Sequence, residues 1–250
     1  MINIFVINLT SSTERRENIS RQLNSLSLPF DIFPAVDGRA SPPHPLLKHY
    51  NDELSQTFRA KTLTPGQLGC YASHFLLWQK CVDLGQPIIV LEDDALLFET
   101  PFLNFIRDSS GLPKKIECVR LFKNKRRKFS SYSAWKCNST NIHKFTKGHM
   151  SATGYFLTPS GAEKLLQHSN QWYMAVDIYM DRFWKNNVEC YGTEEACLTN
   201  DPKFESDIGY TKRTATRSLL KKFKREWFNL NETTQRHLHN IKFNLRRSRL

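Results

Sequence analysis

The sequence predicts an α/β domain followed by a basic helical tail, and three observations carry that expectation. A short apolar strand at the start of the chain leads directly into a helical repeat. A long helix with an apolar stripe lies near residues 64–84. After it, Ile88-Ile89-Val90-Leu91 forms the continuous apolar run of a strand covered on both faces. With 250 residues, 40% hydrophobic and 24% charged, the chain suits one large domain with an appendage and is unlike a disordered sequence. It contains no run of about 18 apolar residues, so no membrane-spanning helix is expected.

In chain order, Asn3 to Ile7 reads as a buried strand. Ser11, Ser12 and Thr13 are candidate caps for a helix whose Ile19, Leu23 and Leu26 repeat at helical spacing. Phe30 to Val36 reads as a second strand, closed by Asp37-Gly38, and Ser41 to Pro45 as a loop. Thr64-Pro65-Gly66 introduces the next helix, on which Leu68, Tyr71, Phe75, Trp78 and Val82 predict one buried face before Gly85-Gln86-Pro87 ends it. The opening run Ile4 to Ile7 has no basic leader and is cut short by Asn8, Thr10 and Ser11. No signal peptide is therefore expected, and the expected location is the cytoplasm. Six cysteines without a C-x-x-C pair read as reduced, mostly buried thiols rather than a zinc or redox site.

The net charge of +12 is unevenly distributed. Thr211 to Leu250 has twelve Lys and Arg against two Glu, which leaves the first 210 residues nearly neutral. A second basic zone, Lys114 to Lys147, has eleven Lys and Arg against Glu117 alone. The strand 88–91 ends in Glu92-Asp93-Asp94. Adjacent carboxylates repel one another, and a hard divalent cation would relieve that repulsion at the strand end, where ligands of open α/β sheets gather. A solvated acidic turn is the simpler alternative.

Six stretches, taken in order, carry a family resemblance: Ile7-Asn8-Leu9 with Arg15-Arg16; Ala35-Val36-Asp37-Gly38; Leu63 to Cys70 with Ser73-His74; Val90 to Asp94; Thr153-Gly154-Tyr155 leading to Ser160-Gly161-Ala162; and Val176-Asp177 near a predicted helix. Over roughly residues 2 to 210 the chain resembles glycosyltransferase family 25, which includes bacterial lipooligosaccharide galactosyltransferases and collagen galactosyltransferases. Gln67 departs from the pattern, because the family usually has Glu there.

The resemblance implies a GT-A fold, a single Rossmann-like nucleotide-binding domain over 1–210, with 211–250 as the tail. It implies a D-x-D-type motif at Glu92-Asp93-Asp94, with Mn²⁺ or Mg²⁺ held by Asp94 and Glu92. Asn8, Leu9, Arg15, Arg16, Asp37, Gly38, Glu92 and Asp93 would bind the nucleotide-sugar, and Gln67, Ser73 and His74 the acceptor. The implied reaction moves a hexose, galactose from UDP-galactose with inversion to a β linkage, onto a lipooligosaccharide or lipopolysaccharide core.

An inverting transfer needs a base for the acceptor hydroxyl. Asp177, in the apolar stretch Met174 to Met180, is the candidate and Asp181 its competitor. A helix carboxylate paired with Arg182 or Lys185 is the alternative for Asp177.

In the tail, Leu219, Leu220, Phe223, Trp227 and Leu230 form one stripe, with Lys221, Lys222, Lys224 and Arg225 opposite. This is the pattern of a helix lying on the anionic inner face of the cytoplasmic membrane, or of a helix packed on the body with a solvated basic face. A second functional class, nucleic-acid binding through both basic zones with Phe129, Tyr132 and Trp135 for stacking, lacks any recognisable module and leaves the acidic triplet unexplained. The Lys114 to Lys147 zone would also suit a phosphorylated acceptor sugar.

Overall fold

The structure is a computed structural model that describes residues 2–204 and 219–247. The expected boundary at 210 and the basic residues Lys212, Arg213, Arg217 and Arg249 lie outside the described residues.

The β-α start is present. β1 (Asn3–Asn8) leads to α1 (Thr13–Ser25), and β2 (Asp31–Pro34) returns parallel to β1. Ser12 stands at the N-cap of α1, but its side chain makes no capping bond. A short helix, α2 (Asp52–Leu54), continues as a π-helical turn, Ser55–Arg59, which ends at Ala60 with φ 59°. α3 (Pro65–Leu84) begins with a capping box. Thr64 Oγ1 accepts from the Gln67 amide, Gln67 Oε1 accepts from the Thr64 amide, and Gly85 at φ 61° ends the helix.

β3 (Ile88–Glu92) then lies parallel to β1, with Glu92 opposite Ile7. Side-chain alternation places Ile4, Val6, Ile89 and Leu91 on the face covered by α1 and α4 (Glu99–Asp108). Phe5, Ile7, Ile88 and Val90 face α3 and α5 (Pro159–Gln167). The continuous apolar run therefore results from burial on both faces.

β4 (Ala95–Leu97) leaves the main sheet to pair with β10 (Leu198–Asn200). The remaining strands are β5 (Cys118–Arg120), β6 (Ser131–Cys137), β7 (Thr140–Phe145), β8 (Gly154–Leu157) and β9 (Tyr191–Thr193). They complete a mixed eight-stranded sheet in the order β2-β1-β3-β8-β5-β9-β7-β6. All six cysteines are free, and Cys81, Cys118, Cys190 and Cys197 are buried.

α3 departs from the expected single buried face. Tyr71 to Phe75, Leu77, Trp78 and Cys81 are all buried, and these residues point in every direction around the helix. The outer side is closed by the 3₁₀ turn Pro45–His49 and by Trp172, whose ring stacks on Tyr71 at 4.3 Å and on His49 at 5.5 Å.

The basic zone 114–147 is also partly internal. Arg120 and Lys144 are buried, and Lys144 Nζ pairs with Glu189 at 2.7 Å. Phe129 touches Phe145 but stays 40% exposed, and Tyr132 approaches Phe243.

α6 (Val176–Met180) and α7 (Phe183–Asn186) precede the final helix, α8 (Leu219–Arg247), which docks on the body along one side. Glu232 takes a two-pronged bond from Arg182 at 2.6 and 2.7 Å, His239 bonds Glu189, and Phe228 stacks on Phe58 at 4.6 Å. No helix among the described residues is long and apolar enough to cross a membrane.

Glu232→Ala leaves the Arg182 guanidinium partly buried without its carboxylate. The expected loss is roughly 1–3 kcal/mol, between exposed and fully buried pairs, read as a lower urea midpoint. An unchanged midpoint would show that the pair does not hold α8.

Candidate functional site

The site lies where β1, β2 and β3 end. Glu92, the last residue of β3, is tied back by its amide to the Thr153 carbonyl at 2.9 Å, and Asp93 and Asp94 occupy the turn into β4. The three carboxylates have different surroundings.

Glu92 terminates a buried polar chain. Trp78 Nε1, which can only donate, bonds the Tyr155 hydroxyl oxygen at 3.0 Å. Tyr155 then donates to His74 Nδ1 at 2.9 Å, and His74 Nε2 donates to Glu92 Oε1 at 3.2 Å. Burial opposes charge on Glu92. The His74 bond, with help from Thr153 and Cys70, nevertheless holds its pKa below the usual carboxylate range.

Asp93 accepts from the Asn8 side-chain amide at 2.7 Å and from Arg15 at 3.4 Å, yet burial still raises its pKa. Asp94 is the least satisfied of the three. Oδ2 accepts from Asn200 at 2.9 Å, whereas Oδ1 is buried with no hydrogen-bond partner. Burial, reinforced by the Glu92 charge, pushes its pKa up to about 7.

Two cavities meet at Cys70, Glu92 and Asp94. The first is a groove lined by Leu9, Arg15, Asp37, Gly38, Ser73 and Asp93, among others. The second, about 380 Å³, is lined by Gln67, Lys125, Thr153, Asp177 and Asn200, among others. A single carboxylate turn therefore faces both chambers.

Of the residues expected to bind nucleotide, Leu9, Arg15, Asp37, Gly38, Glu92 and Asp93 line the groove. Arg16 is exposed on α1 and is not among its lining residues. Asn8 is buried beneath the groove and orients Asp93 and the Ser12 carbonyl. Gly38 lines the groove and has a packing reason of its own. A Cβ there would sit 1.8 Å from the Pro65 carbonyl oxygen, so glycine lets the β2 exit lie against the start of α3.

The three residues expected at the acceptor are not together. Gln67 lines the second cavity while capping α3. Ser73 is buried on the groove side, accepting from the Val36 amide and donating to the Gly69 carbonyl. His74 is fully buried and committed to Glu92 and Tyr155. Neither Ser73 nor His74 offers an exposed edge to an acceptor.

Asp177, in the first turn of α6, faces the second cavity, and burial raises its pKa. Asp181 is consumed structurally. It accepts from Arg120, Arg126 and the amides of His149 and Met150, which leaves it no capacity as a base. Arg182 pairs with Glu232 and not with Asp177.

Tyr155, Thr153 and Asn200 were not assigned site roles in the sequence. Thr153 and Tyr155 belong to one of the family-like stretches, but Asn200 is brought to Asp94 only by the β4–β10 pairing.

With the folded pKa of Asp94 raised from 3.8 to about 7, its contribution to stability is present below pH 3.8 and is lost as pH rises to about 7. In chelator, denaturation midpoints measured from pH 4 to 8 should fall less for Asp94→Asn than for the unaltered protein. Parallel curves would remove Asp94 as the source.

A model of glycosyltransferase family 25, described as an LPS biosynthesis protein, matches residues 1–180, which include both arms of the acidic turn and Asp177. The chain is similar to the lipooligosaccharide biosynthesis protein lic2B of Haemophilus influenzae, at 28% identity over 82% of this chain and 78% of that one. It is also similar to procollagen galactosyltransferase 1 of Danio rerio, at 28% identity over 86% of this chain but 39% of that one. A Rattus norvegicus relative described as a probable inactive glycosyltransferase 25 family member 3 is 31% identical over 40% of this chain. The chain thus spans most of the bacterial relative and well under half of the fish one. With the family match extending over more than two thirds of its length, this chain belongs to glycosyltransferase family 25.

Proposed function

We propose that the protein is an inverting GT-A glycosyltransferase that moves galactose from UDP-galactose, in β linkage, onto a lipooligosaccharide or lipopolysaccharide core. The observation that carries this reading is the junction of two chambers at Glu92 and Asp94, with a separate, half-buried carboxylate, Asp177, on the wall of the far chamber. A donor placed along the groove would have its diphosphate at the acidic turn and its sugar toward Asp177. Arg15 and Asp37 suit phosphate and ribose contacts respectively. The choice of galactose follows the names of two relatives, of which one is a galactosyltransferase and the other a lipooligosaccharide biosynthesis protein.

A resident divalent cation, Mn²⁺ or Mg²⁺, fits the residues present. The buried, unpartnered Oδ1 of Asp94 is an oxygen donor lacking a ligand, and Glu92 is kept anionic beside it. Glu92 already accepts from His74 and Cys70, so Asp94 is the better direct ligand. Bound there, the cation would supply Lewis-acid stabilisation of the charge on the leaving diphosphate. Asp177 takes the proton from the acceptor hydroxyl as that oxygen forms its bond to the anomeric carbon and the bond to diphosphate breaks. A half-buried carboxylate whose pKa burial raises suits that task better than a fully solvated one.

The membrane reading of the tail is supported by the face of α8 turned away from the body. Leu220, Phe223, Trp227, Leu230, Leu238, Ile241 and Leu245 are 51–75% exposed, and at about 100° per residue they share one stripe opposite Phe228, Glu232 and His239. Lys222, Lys224 and Lys242, also exposed, border it and suit anionic headgroups. Such docking would hold the enzyme on the cytoplasmic face of the inner membrane, where a lipid-linked acceptor lies. Nucleic-acid binding leaves the acidic turn at Glu92 to Asp94 without a role and is the weaker reading.

A screen of nucleotide-sugars with Mn²⁺ and with chelator tests donor and metal together. Turnover is expected with UDP-galactose and Mn²⁺ only, and equal turnover in chelator would remove the metal. Asp177→Asn should lower kcat by at least about 10²-fold while donor affinity, measured by calorimetry, changes less than about threefold. Near-normal kcat would exclude Asp177 as base.

Trp227→Glu, a surface change, should reduce flotation with phosphatidylglycerol vesicles about tenfold or more relative to the unaltered chain. Equal flotation would exclude the stripe as a membrane contact.

A further inference from the structure

Asp94 is held at two points by one short segment. The amide of Asp201 donates to its main-chain carbonyl at 2.8 Å, and Nδ2 of Asn200 donates to its Oδ2 at 2.9 Å. Both donors come from the end of β10, which reaches the acidic turn because β10 pairs antiparallel with β4 and sets Asn200 opposite Ala95. They lie beyond residues 1–180, the part of the chain that the family model matches.

Asn200 is itself fixed at both ends of its amide. Nδ2 donates a second time, to the hydroxyl of buried Thr153 at 3.1 Å, and Oδ1 accepts from Lys125 at 3.1 Å. A lysine can only donate and an ionised carboxylate can only accept, so one orientation of the amide serves all three neighbours. Thr153 is anchored in turn. Its hydroxyl accepts from Ser151 at 2.9 Å, and its carbonyl accepts from the Glu92 amide at 2.9 Å. Asp201 accepts from Asn18 of α1 at 3.1 Å. The end of β10 is therefore tied at once to α1, to the residue before β8 and to the acidic turn.

The consequence falls on the other oxygen of Asp94. The terminal torsion of an aspartate is broad and two-fold, so a carboxylate in a turn has no fixed orientation of its own. Here the main chain and Oδ2 are both bound, which leaves Oδ1 buried, without a hydrogen-bond partner, in one orientation. Asp94 lines both chambers. A ligand oxygen oriented before the ion arrives loses little freedom when it binds.

We infer that Asn200 is a positioning residue for the metal site: its bond to Oδ2 presents Oδ1 of Asp94 as the ligand of the divalent cation. The inference deepens the glycosyltransferase reading and rests on it for the identity of that ligand as Mn²⁺ or Mg²⁺. Without the Asn200 donor the Asp94 carboxylate is free to turn, and the expected loss is about tenfold in metal affinity, the lower end of what the partners of metal ligands contribute.

Mn²⁺ binding to the full chain is titrated by EPR, with and without UDP, and melting temperatures are recorded alongside. Asn200→Ala should raise the Mn²⁺ Kd about tenfold or more, and Asn200→Leu, which has a similar branched outline and no donor, should do the same with the strand still filled. Thr199→Ala, on the other face of β10, should leave the Kd within about twofold, because it changes the strand without touching the carboxylate. In turnover assays with UDP-galactose, the Mn²⁺ needed for half-maximal rate should rise in Asn200→Ala by the same factor, while kcat at saturating Mn²⁺ and acceptor KM change less than about threefold.

Equal Mn²⁺ affinity in Asn200→Ala and the unaltered chain, or an equal loss in Thr199→Ala, overturns the positioning role and leaves a metal-dependent transferase standing. No Mn²⁺ binding by the unaltered chain, with or without UDP, removes the metal from the glycosyltransferase reading and the positioning role with it.

Discussion

An ionised carboxylate at the end of a strand buried on both faces requires donors, and the hydrogen bond from His74 to Glu92 supplies the principal one. It is itself held from behind by Tyr155 and Trp78, so a helix, α3, and two strands, β3 and β8, are joined by one chain of polar contacts inside an apolar core. Leaving any member unpaired would strand a buried donor or acceptor, at a cost of about 1–3 kcal/mol. Because Glu92 is fixed, the turn that follows it is fixed too. The three acids then diverge by environment. Glu92 has donors enough to stay charged, Asp93 is balanced by Asn8 and Arg15, and Asp94 retains an unsatisfied oxygen. Three identical functional groups in a row thereby acquire different chemistry.

The two ends of the chain are coupled through α6 and α8. Asp177 lies in α6, Arg182 follows it by five residues, and Arg182 clamps Glu232 of α8. The same helix presses Phe228 onto Phe58. One side of this helix is packed on the body by charge pairs and rings, and the other leaves its large apolar residues exposed. Amphipathic periodicity reports that a helix has two unlike faces. It does not report which one meets the protein when the polar face carries Glu232 and His239, whose partners lie 50 residues away.

Local signals identified most of the elements that build the site. Thr64-Pro65-Gly66 announced the start of α3, Gly85-Gln86-Pro87 its end, and the run Ile88 to Leu91 ending in three acids announced the central strand and its functional edge. Glutamine in place of the family's usual glutamate at position 67 retains the capping bond, since the cap needs only an acceptor oxygen. The same periodicity understated the burial of α3, because the residues that close its outer side, His49 and Trp172, are remote in the chain. Gly38 was legible as a site of close approach, but the partner was the backbone of α3 itself. Ser73 and His74 stood out as a pair, yet their hydroxyl and ring are turned inward to Val36 and Glu92.

Residue type and spacing were sufficient for the class of fold, the acidic strand end, the family and the amphipathic tail, because each depends on neighbours within a few positions or on an ordered set of short motifs. Tertiary structure decided which carboxylate keeps a free oxygen, which aspartate faces a cavity and which is consumed by arginines, and which basic residues are internal. Those outcomes depend on desolvation and on partners such as Asn200 for Asp94, Glu189 for Lys144 and Arg120 for Asp181. Burial and charge pairing are properties of three-dimensional proximity, and no local pattern in the chain encodes which distant group will arrive.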